Sequence, residues 1–427
     1  MVALLLGLMV GLLLLGFPLL VPLLASALAV LLVFFGGLEP SLLVQQMIGG
    51  VRPVVLTAVP MFIFAADLMT KGRSADRLLD LVLRCVGHVR GGLPIATAVG
   101  CTLFGAVSGS TQATVVAIGS AMRPRLLARG YRDSFALALI VNASDVALLI
   151  PPSIGMIVYG VVSGTSVGEL FIAGIGPGLL VLAVFSGYCR LAARWQGVEP
   201  LPAATASERV RALRGALLPL CFPVVVIGGI YAGVFSPTEA AAVSVLYALV
   251  LEVGVFRSVA LRDVPAVALS TGVVTAVVFI LVAAGAAFSW VIAYAGLPDA
   301  LIAPLLSRVS ADPLLLLAAI AALYFVACMF VDPIVAILIL TPILAPVVDA
   351  SGLDPVLVGT LVTLQAAIGS ATPPFGCDLF TAMAIFQRPY LDVIRGTPPF
   401  VLMLLGVTAL LIAWPPLALG LRDLAFR

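Results

Sequence analysis

The chain has 427 residues, of which 63% are hydrophobic and only 10% charged. A soluble domain carries about 25% charged residues, so this chain cannot cover itself with a polar surface and reads as a multi-pass membrane protein. Its net charge of +2 carries no signature of nucleic-acid binding.

The opening run, MVALLLGLMVGLLLLGFPLL, lacks the basic stretch expected of a cleavable signal and leads straight into more apolar sequence. About a dozen stretches approach the roughly 20 apolar residues that a membrane crossing needs. After the first of these, SADRLLDLVLRCVGHV alternates apolar and charged residues at helical spacing. It predicts an amphipathic connector helix lying along the inner membrane surface.

Next comes an apolar block from Gly92 to Met122, interrupted by Ser108, Gly109 and Ser110. Residues 133–162 then form an apolar run broken by Pro151 and Pro152, and the most polar segment of the chain spans Arg190 to Arg214. Glu239, after Ser236 and Pro237, reads as a first-turn helix cap. A second block from Leu314 to Val348 is interrupted at Asp332 and Pro333, and residues 355–387 are broken at Pro373 and Pro374. Trp195, Trp290 and Trp414 fall near expected span ends, as in an interfacial aromatic belt.

Charge orients these segments, because cytoplasmic loops collect Lys and Arg. Five basic groups (71–90, 123–132, 190–214, 257–262 and 388–395) are placed inside. The acidic or uncharged connections SGTSVGE, GVFSPTE, GLPDA, SRVSADP and DASGLDP are placed outside. The 92–122 block then enters and leaves from inside, and the 314–348 block from outside. Each is about 30 to 35 residues, short for two crossings and a turn, so both read as re-entrant helical hairpins.

An offset of 222 residues aligns Pro124 with Pro346, Gly130 with Gly352, Pro151 with Pro373, Pro152 with Pro374, and tip residue Ser110 with Asp332. This predicts two inverted repeats. Residues 1–212 hold scaffold helices, an arm helix, hairpin 92–126 and broken helix 133–162. Residues 213–427 repeat the plan with hairpin 313–349 and broken helix 355–387. Inverted repeats with broken helices mark secondary transporters, whose sites lie near the membrane midplane. Freed carbonyls and hydroxyls are hard oxygen ligands suited to Na⁺, and half-helix starts suit an anionic substrate.

His88 is the only histidine and Lys71 the only lysine, with no Gly-rich loop before it. These facts argue against a His-built metal site, a Ser-His-Asp hydrolase and a Walker A motif; with no ATPase, transport must draw on a gradient. The six cysteines, at 85, 101, 189, 221, 328 and 377, show no CxxC pairing and read as packing residues.

The sequence resembles the large membrane subunit of tripartite ATP-independent periplasmic (TRAP) transporters, the DctM-like family. The resemblance is carried by AVPMFIFAADLM (58–69), GHVRGGLPIA (87–96), FGAVSGSTQATVVAIGS (104–120), IPPSIGMIVYGVVSGTSVGELFIAGIGPG (150–178), GVFSPTEAAAVSVLYAL (233–249), FVDPIVAILILTPILAP (330–346) and AIGSATPPFGCDLF (367–380). It implies an all-α, elevator-type, Na⁺-driven secondary transporter in the bacterial inner membrane. It also implies a small four-helix membrane subunit and a periplasmic substrate-binding protein as partners, with a small organic anion, a carboxylate, as cargo.

The expected Na⁺ ligands are Ser108, Gly109, Ser110, Asn142, Pro151 and Ser153 for one site, and Asp332, Gly369, Thr372 and Pro373 for its counterpart. The expected substrate contacts are Ser110, Ser144, Asp145, Ser153 and Asp378. Asp145 and Asp378 depart from the family pattern. Asp67, Asp145, Asp332 and Asp378 are all functional candidates as acids within membrane segments; Asp332 is read equally as the cap of the helix after it, and Asp67 and Asp145 also as acids paired with Arg near a helix end. The competing reading is a stand-alone H⁺- or Na⁺-coupled organic-anion transporter.

Overall fold

The computed structural model describes residues 1–18, 20–296 and 312–426. The connections expected outside at 297–300 and 307–311 lie beyond the described residues. Among the described residues every regular element is helical.

Seven helices are long and apolar enough to cross a membrane, and Pro398–Ala413 with Pro416–Ala425, bent by 60°, makes an eighth if taken as one span. That is fewer than the apolar stretches of the sequence, because glycines and prolines cut several into helices of 10–17 residues. The outer helices Ala206–Tyr231 and Val264–Tyr294 leave wide apolar faces exposed, as lipid or a membrane partner requires; Leu269 and Val273 are 72% and 61% exposed. Trp195 closes the helix Val167–Trp195, and Trp414 sits at the bend between the last two helices.

Each interrupted block is a pair of helices around a tight turn. The first hairpin is Gly92–Ser108 and Thr111–Ala128. Gly109 turns the chain at φ +59°, a conformation costly for other residues, and the Ser110 hydroxyl accepts from the Ala113 amide at 3.4 Å. The second hairpin is Pro313–Phe330 and Pro333–Ser351. Asp332 caps its second helix, accepting from the Ile334 amide at 2.9 Å, and Pro333 fills the first helical position. Only Val331 and Asp332 separate its helices of 18 and 19 residues, each long enough to cross a membrane. Length alone therefore does not argue for re-entry there.

Both long central helices are broken where the sequence places the proline pairs. The first runs from Asp133 to Ser144, tightens through Asp145–Leu148, breaks, and resumes as Ile154–Ser163 under the Ser153 cap. The second runs from Pro355 to Ser370 and resumes as Cys377–Phe386. Both proline pairs hold a cis peptide bond. Pro355–Ser370 is buried almost all round, the environment that a uniformly apolar helix requires, whereas Cys377–Phe386 keeps an exposed side at Phe380 and Ile385.

The packing runs crosswise. Ile154–Ser163 packs against Pro333–Ser351 of the second hairpin, and Cys377–Phe386 packs against Thr111–Ala128 of the first. The expected amphipathic connector is the helix Ser74–Val86, which packs between Ala206–Tyr231 and the first hairpin. Its start is tied to a distant helix end. The buried Glu252 accepts from the Arg73 and Ser74 amides at 3.0 and 3.2 Å, and from the hydroxyls of Ser74 and Ser258. Glu239 forms the expected cap, a reciprocal pair with Ser236.

Candidate functional site

The two hairpin tips line one cavity of about 470 Å³. One wall holds Ser108 to Ala113 of the first tip, Asp332 to Ile334 of the second, and Leu148, Ile154 and Gly155 from either side of the first helix break. The opposite wall comes from the outer helices, with Ile63, Ala66 and Asp67 on Ala58–Lys71 and Val273 to Leu281 on Val264–Tyr294. The helices that begin at Thr111 and Pro333 start at this cavity, so both present their partial positive ends to it. Among the described residues its side-chain charges are the carboxyls of Asp67 and Asp332, and no Lys, Arg or His lines it.

The first tip closes by contacts among its own polar groups. The Ser108 hydroxyl lies 3.1 Å from that of Thr114, which donates to the Ser110 carbonyl at 2.8 Å. Gly109 sits against the Pro152 carbonyl, where a β-carbon would collide. Tip and break therefore touch, bringing Ser108, Gly109 and Ser110 beside the break that holds Pro151 and Ser153. Ser153 is fully buried and accepts from the Met156 amide at 3.3 Å. In the second half, Gly369 packs against Cys328 of the second hairpin, and Thr372 returns its hydroxyl to the Ile368 carbonyl at 2.6 Å beside Pro373. The Phe375 amide donates to the Met329 carbonyl near the second tip at 3.1 Å.

The remaining expected residues lie deeper. Ser144, Asp145 and Asp378 do not line the cavity. Asn142 is buried; its amide nitrogen donates to the Ala138 carbonyl at 2.8 Å and its side-chain oxygen has no partner. Ser144 donates to the Ile140 carbonyl at 2.8 Å. Asp145 and Asp378 are drawn together by Ser370, whose hydroxyl is 3.2 Å from one and 3.0 Å from the other.

The expected Arg partners of Asp67 and Asp145 are not found. Asp67 accepts from the Thr271 hydroxyl at 2.6 Å, and Asp145 meets Ser370. Arg123 and Arg388 are engaged at another carboxyl, that of Asp133. Arg123 holds Asp133 through two contacts of 2.8 Å, with Arg388 at 3.0 Å from the same carboxyl. Sequence reasoning missed Thr111, Ser370 and Thr271, ordinary helix hydroxyls in isolation. It also missed Glu252, which a lone acid in the apolar run ALVLEVGVF could have flagged.

Residues 6–417 match the family described as "Tripartite ATP-independent periplasmic transporter, DctM component". The chain is 61% identical over 420 residues to the ectoine TRAP transporter large permease protein TeaC of Halomonas elongata, covering 98% of each chain. It is 63% identical over 419 residues to the ectoine/5-hydroxyectoine TRAP transporter large permease protein UehC of Ruegeria pomeroyi, again covering 98% of each. In fold it is similar to the crystal structure of the Alcanivorax borkumensis YdaH transporter, with a TM-score of 0.64 at 18% identity over 89% of this chain and 88% of that one. The relatives are transport permeases rather than enzymes, and the chain belongs to the large-permease (DctM) family of TRAP transporters.

Proposed function

We propose that this permease imports a small zwitterion of the ectoine class, driven by Na⁺, through an elevator movement of the hairpin-bearing core against the outer helices. The observation that carries the substrate reading is the cavity between the two tips, lined among the described residues by Asp67 and Asp332 and by no basic side chain. A C4-dicarboxylate would bring two negative charges to two carboxyls. Ectoine carries one carboxylate and a delocalised amidinium cation. The cation answers Asp67, with Asp332 left to Na⁺, and the carboxylate answers the helix starts at Thr111 and Pro333. This narrows the expected organic anion to a molecule bearing both charges, and it agrees with the names of the relatives at 61% and 63% identity.

Na⁺ coupling is supported by the oxygens around the tips and breaks: the Ser108 hydroxyl and Ser110 carbonyl on one side, and Asp332 with Gly369 and Thr372 on the other. The re-entrant placement of the hairpins is supported by the position of both tips at one central cavity and by the opposed charge of their flanks. The repeat is supported by matched features at the 222-residue offset, where Ser110 and Asp332 each cap the second helix of a hairpin. The setting is the bacterial inner membrane, where one large permease joins a four-helix small subunit and receives substrate from a periplasmic binding protein.

The test uses proteoliposomes holding the permease and its small subunit, with an inward Na⁺ gradient. Ectoine uptake should appear only when the cognate binding protein is added, and should collapse when K⁺ replaces Na⁺. Uptake of a C4-dicarboxylate in preference to ectoine would overturn the substrate reading. Robust uptake without the binding protein would favour the stand-alone transporter.

A further inference from the structure

Behind the cavity lies a polar cluster that the substrate reading does not use. The first half of each broken helix ends there, one at Ser144 next to Asp145 and the other at Ser370. Asp378 enters from the first turn of Cys377–Phe386, and Thr111 from the first hairpin. Asp145 and Asp378 are 1% and 0% exposed.

The available protons do not satisfy this cluster. The Thr111 hydroxyl donates to Asp378 Oδ1 at 2.9 Å. The Ser370 hydroxyl lies 3.0 Å from Asp378 Oδ2, 3.2 Å from Asp145 Oδ1 and 2.7 Å from the Ala367 carbonyl, so a single hydrogen faces three acceptors. Asp145 Oδ2 has no hydrogen-bond partner among the described residues. The two carboxyls share the Ser370 hydroxyl, which brings two acids together across one side chain.

None is supplied by the protein. Among the described residues neither carboxyl forms an ion pair with Arg, Lys or His. The titratable neighbours are Asp332 at the second tip, Cys377 beside Asp378, and Cys101, which packs on Ser144 from the first hairpin. Two bare carboxylates in a buried site repel each other and forfeit their hydration. Two helix C-termini end here, at Ser144 and Ser370, and two helix N-termini start here, at Thr111 and Cys377, so the helix ends supply no net positive charge.

We propose that Asp145 and Asp378, with the hydroxyls of Ser370 and Thr111, form an additional monovalent-cation site between the two broken helices. The occupant is one positive charge, supplied as Na⁺ or as a proton shared between the carboxyls. When loaded, the site draws the two broken helices together. When emptied, it leaves like charges facing each other. The proposal does not depend on which solute is carried.

The test compares wild type with Asp378→Asn and Asp145→Asn in the purified permease with its small subunit, using two readouts that need no substrate. One is a ²²Na⁺ binding isotherm, and the other is the infrared carbonyl band of a buried protonated carboxylic acid. Asn keeps the size of the side chain, and its amide donates permanently to the facing carboxylate, as a protonated Asp would. If the occupant is Na⁺, either variant loses one bound Na⁺ or needs about ten-fold more for half-saturation. If it is a proton, wild type shows the acid band, both variants lose it, and their Na⁺ isotherms overlay. A wild type without the acid band, together with variants that bind Na⁺ as wild type does, would overturn the proposal. Should a variant fail to fold, Ser370→Ala, which removes the bridging hydroxyl and leaves both carboxyls, takes its place: a shifted acid band or a weakened Na⁺ isotherm supports the site, and both unchanged overturn it.

Discussion

Gly109 rests against the backbone carbonyl of Pro152, so the tip of the first hairpin closes directly onto the break of the neighbouring helix. A methyl group there meets that carbonyl oxygen and also strains a residue at φ +59°. The strain alone costs about 1–2 kcal/mol. Gly130 separates the two effects, because it has φ +89° with open space where a β-carbon would stand. Gly130→Ala should lose stability by strain only. Gly109→Ala should melt lower still and lose most uptake. Equal melting temperatures for the two would remove the tip contact from the account.

Asp67 faces the cavity from the outer helices and is oriented by Thr271 at 2.6 Å. If it answers the cationic end of the solute, Asp67→Asn should raise the concentration for half-maximal uptake by about ten-fold. Thr271→Val, which leaves the charge but frees its orientation, should do less. Concentration series in proteoliposomes with saturating binding protein would show it. An unchanged half-saturation in Asp67→Asn counts against the acid-lined substrate site.

Asp332 caps the second tip helix through the Ile334 amide at 2.9 Å, and the cap can be separated from the charge. Asp332→Asn keeps an acceptor oxygen and loses the charge, whereas Asp332→Ala loses both. Loss of the cap should cost about 0.5–2 kcal/mol in Ala, and little in Asn. If the carboxylate also serves Na⁺, both variants should need several times more Na⁺ for half-maximal uptake. A Na⁺ titration identical to wild type in Asp332→Asn would leave the residue a cap only.

The Arg123–Asp133 pair, with contacts of 2.8 Å and Arg388 at 3.0 Å, ties the base of the first hairpin to both broken helices. The Arg123 and Asp133 side chains are 14% and 27% exposed, so solvent screens them incompletely. Asp133→Asn leaves two guanidinium groups facing a neutral amide and should destabilise the protein by about 1–3 kcal/mol. Thermal melting in detergent checks this, and added salt should narrow the gap between variant and wild type.

Topology is open to direct labelling. The loop from Arg190 to Arg214 should be cytoplasmic by its arginines, and the turn between Asp349 and Asp354 periplasmic. In a cysteine-free background, Ala204→Cys should resist an impermeant thiol reagent added outside, and Ser351→Cys should react. The opposite pattern would reverse the assigned orientation.

Local punctuation made much of the fold legible. Prolines at 151–152 and 373–374, Gly109 at a turn, and Asp332 before proline act on their own backbone, so their effects are written where they occur. Length was a poorer guide. The second hairpin spends only two residues on its turn, which leaves room for helices longer than a short hairpin suggests. The pairing of Asp145 with Ser370, 225 residues away, and of Thr111 with Asp378, 267 away, carried no local signal. Those contacts arise from how the broken helices pack. Asp67 and Asp145 were expected beside arginine because a buried acid needs a partner, but hydroxyls reached them first.

The crosswise packing makes the core a clasp of two interlocked hooks. Ile154–Ser163 finds its wall in the second half of the chain, and Cys377–Phe386 finds its wall in the first. The first segments, Asp133–Ser144 and Pro355–Ser370, pack on the hairpin of their own half, but neither half alone encloses the second segment of its broken helix. A chain cut in the irregular stretch 198–205 would therefore yield two fragments that each expose an apolar groove shaped for the other. Co-expressed, they have reason to rejoin; alone, each is a hook with nothing to hold. During synthesis the first hairpin must wait, its tip formed but its outer flank bare, until the last third of the chain enters the membrane.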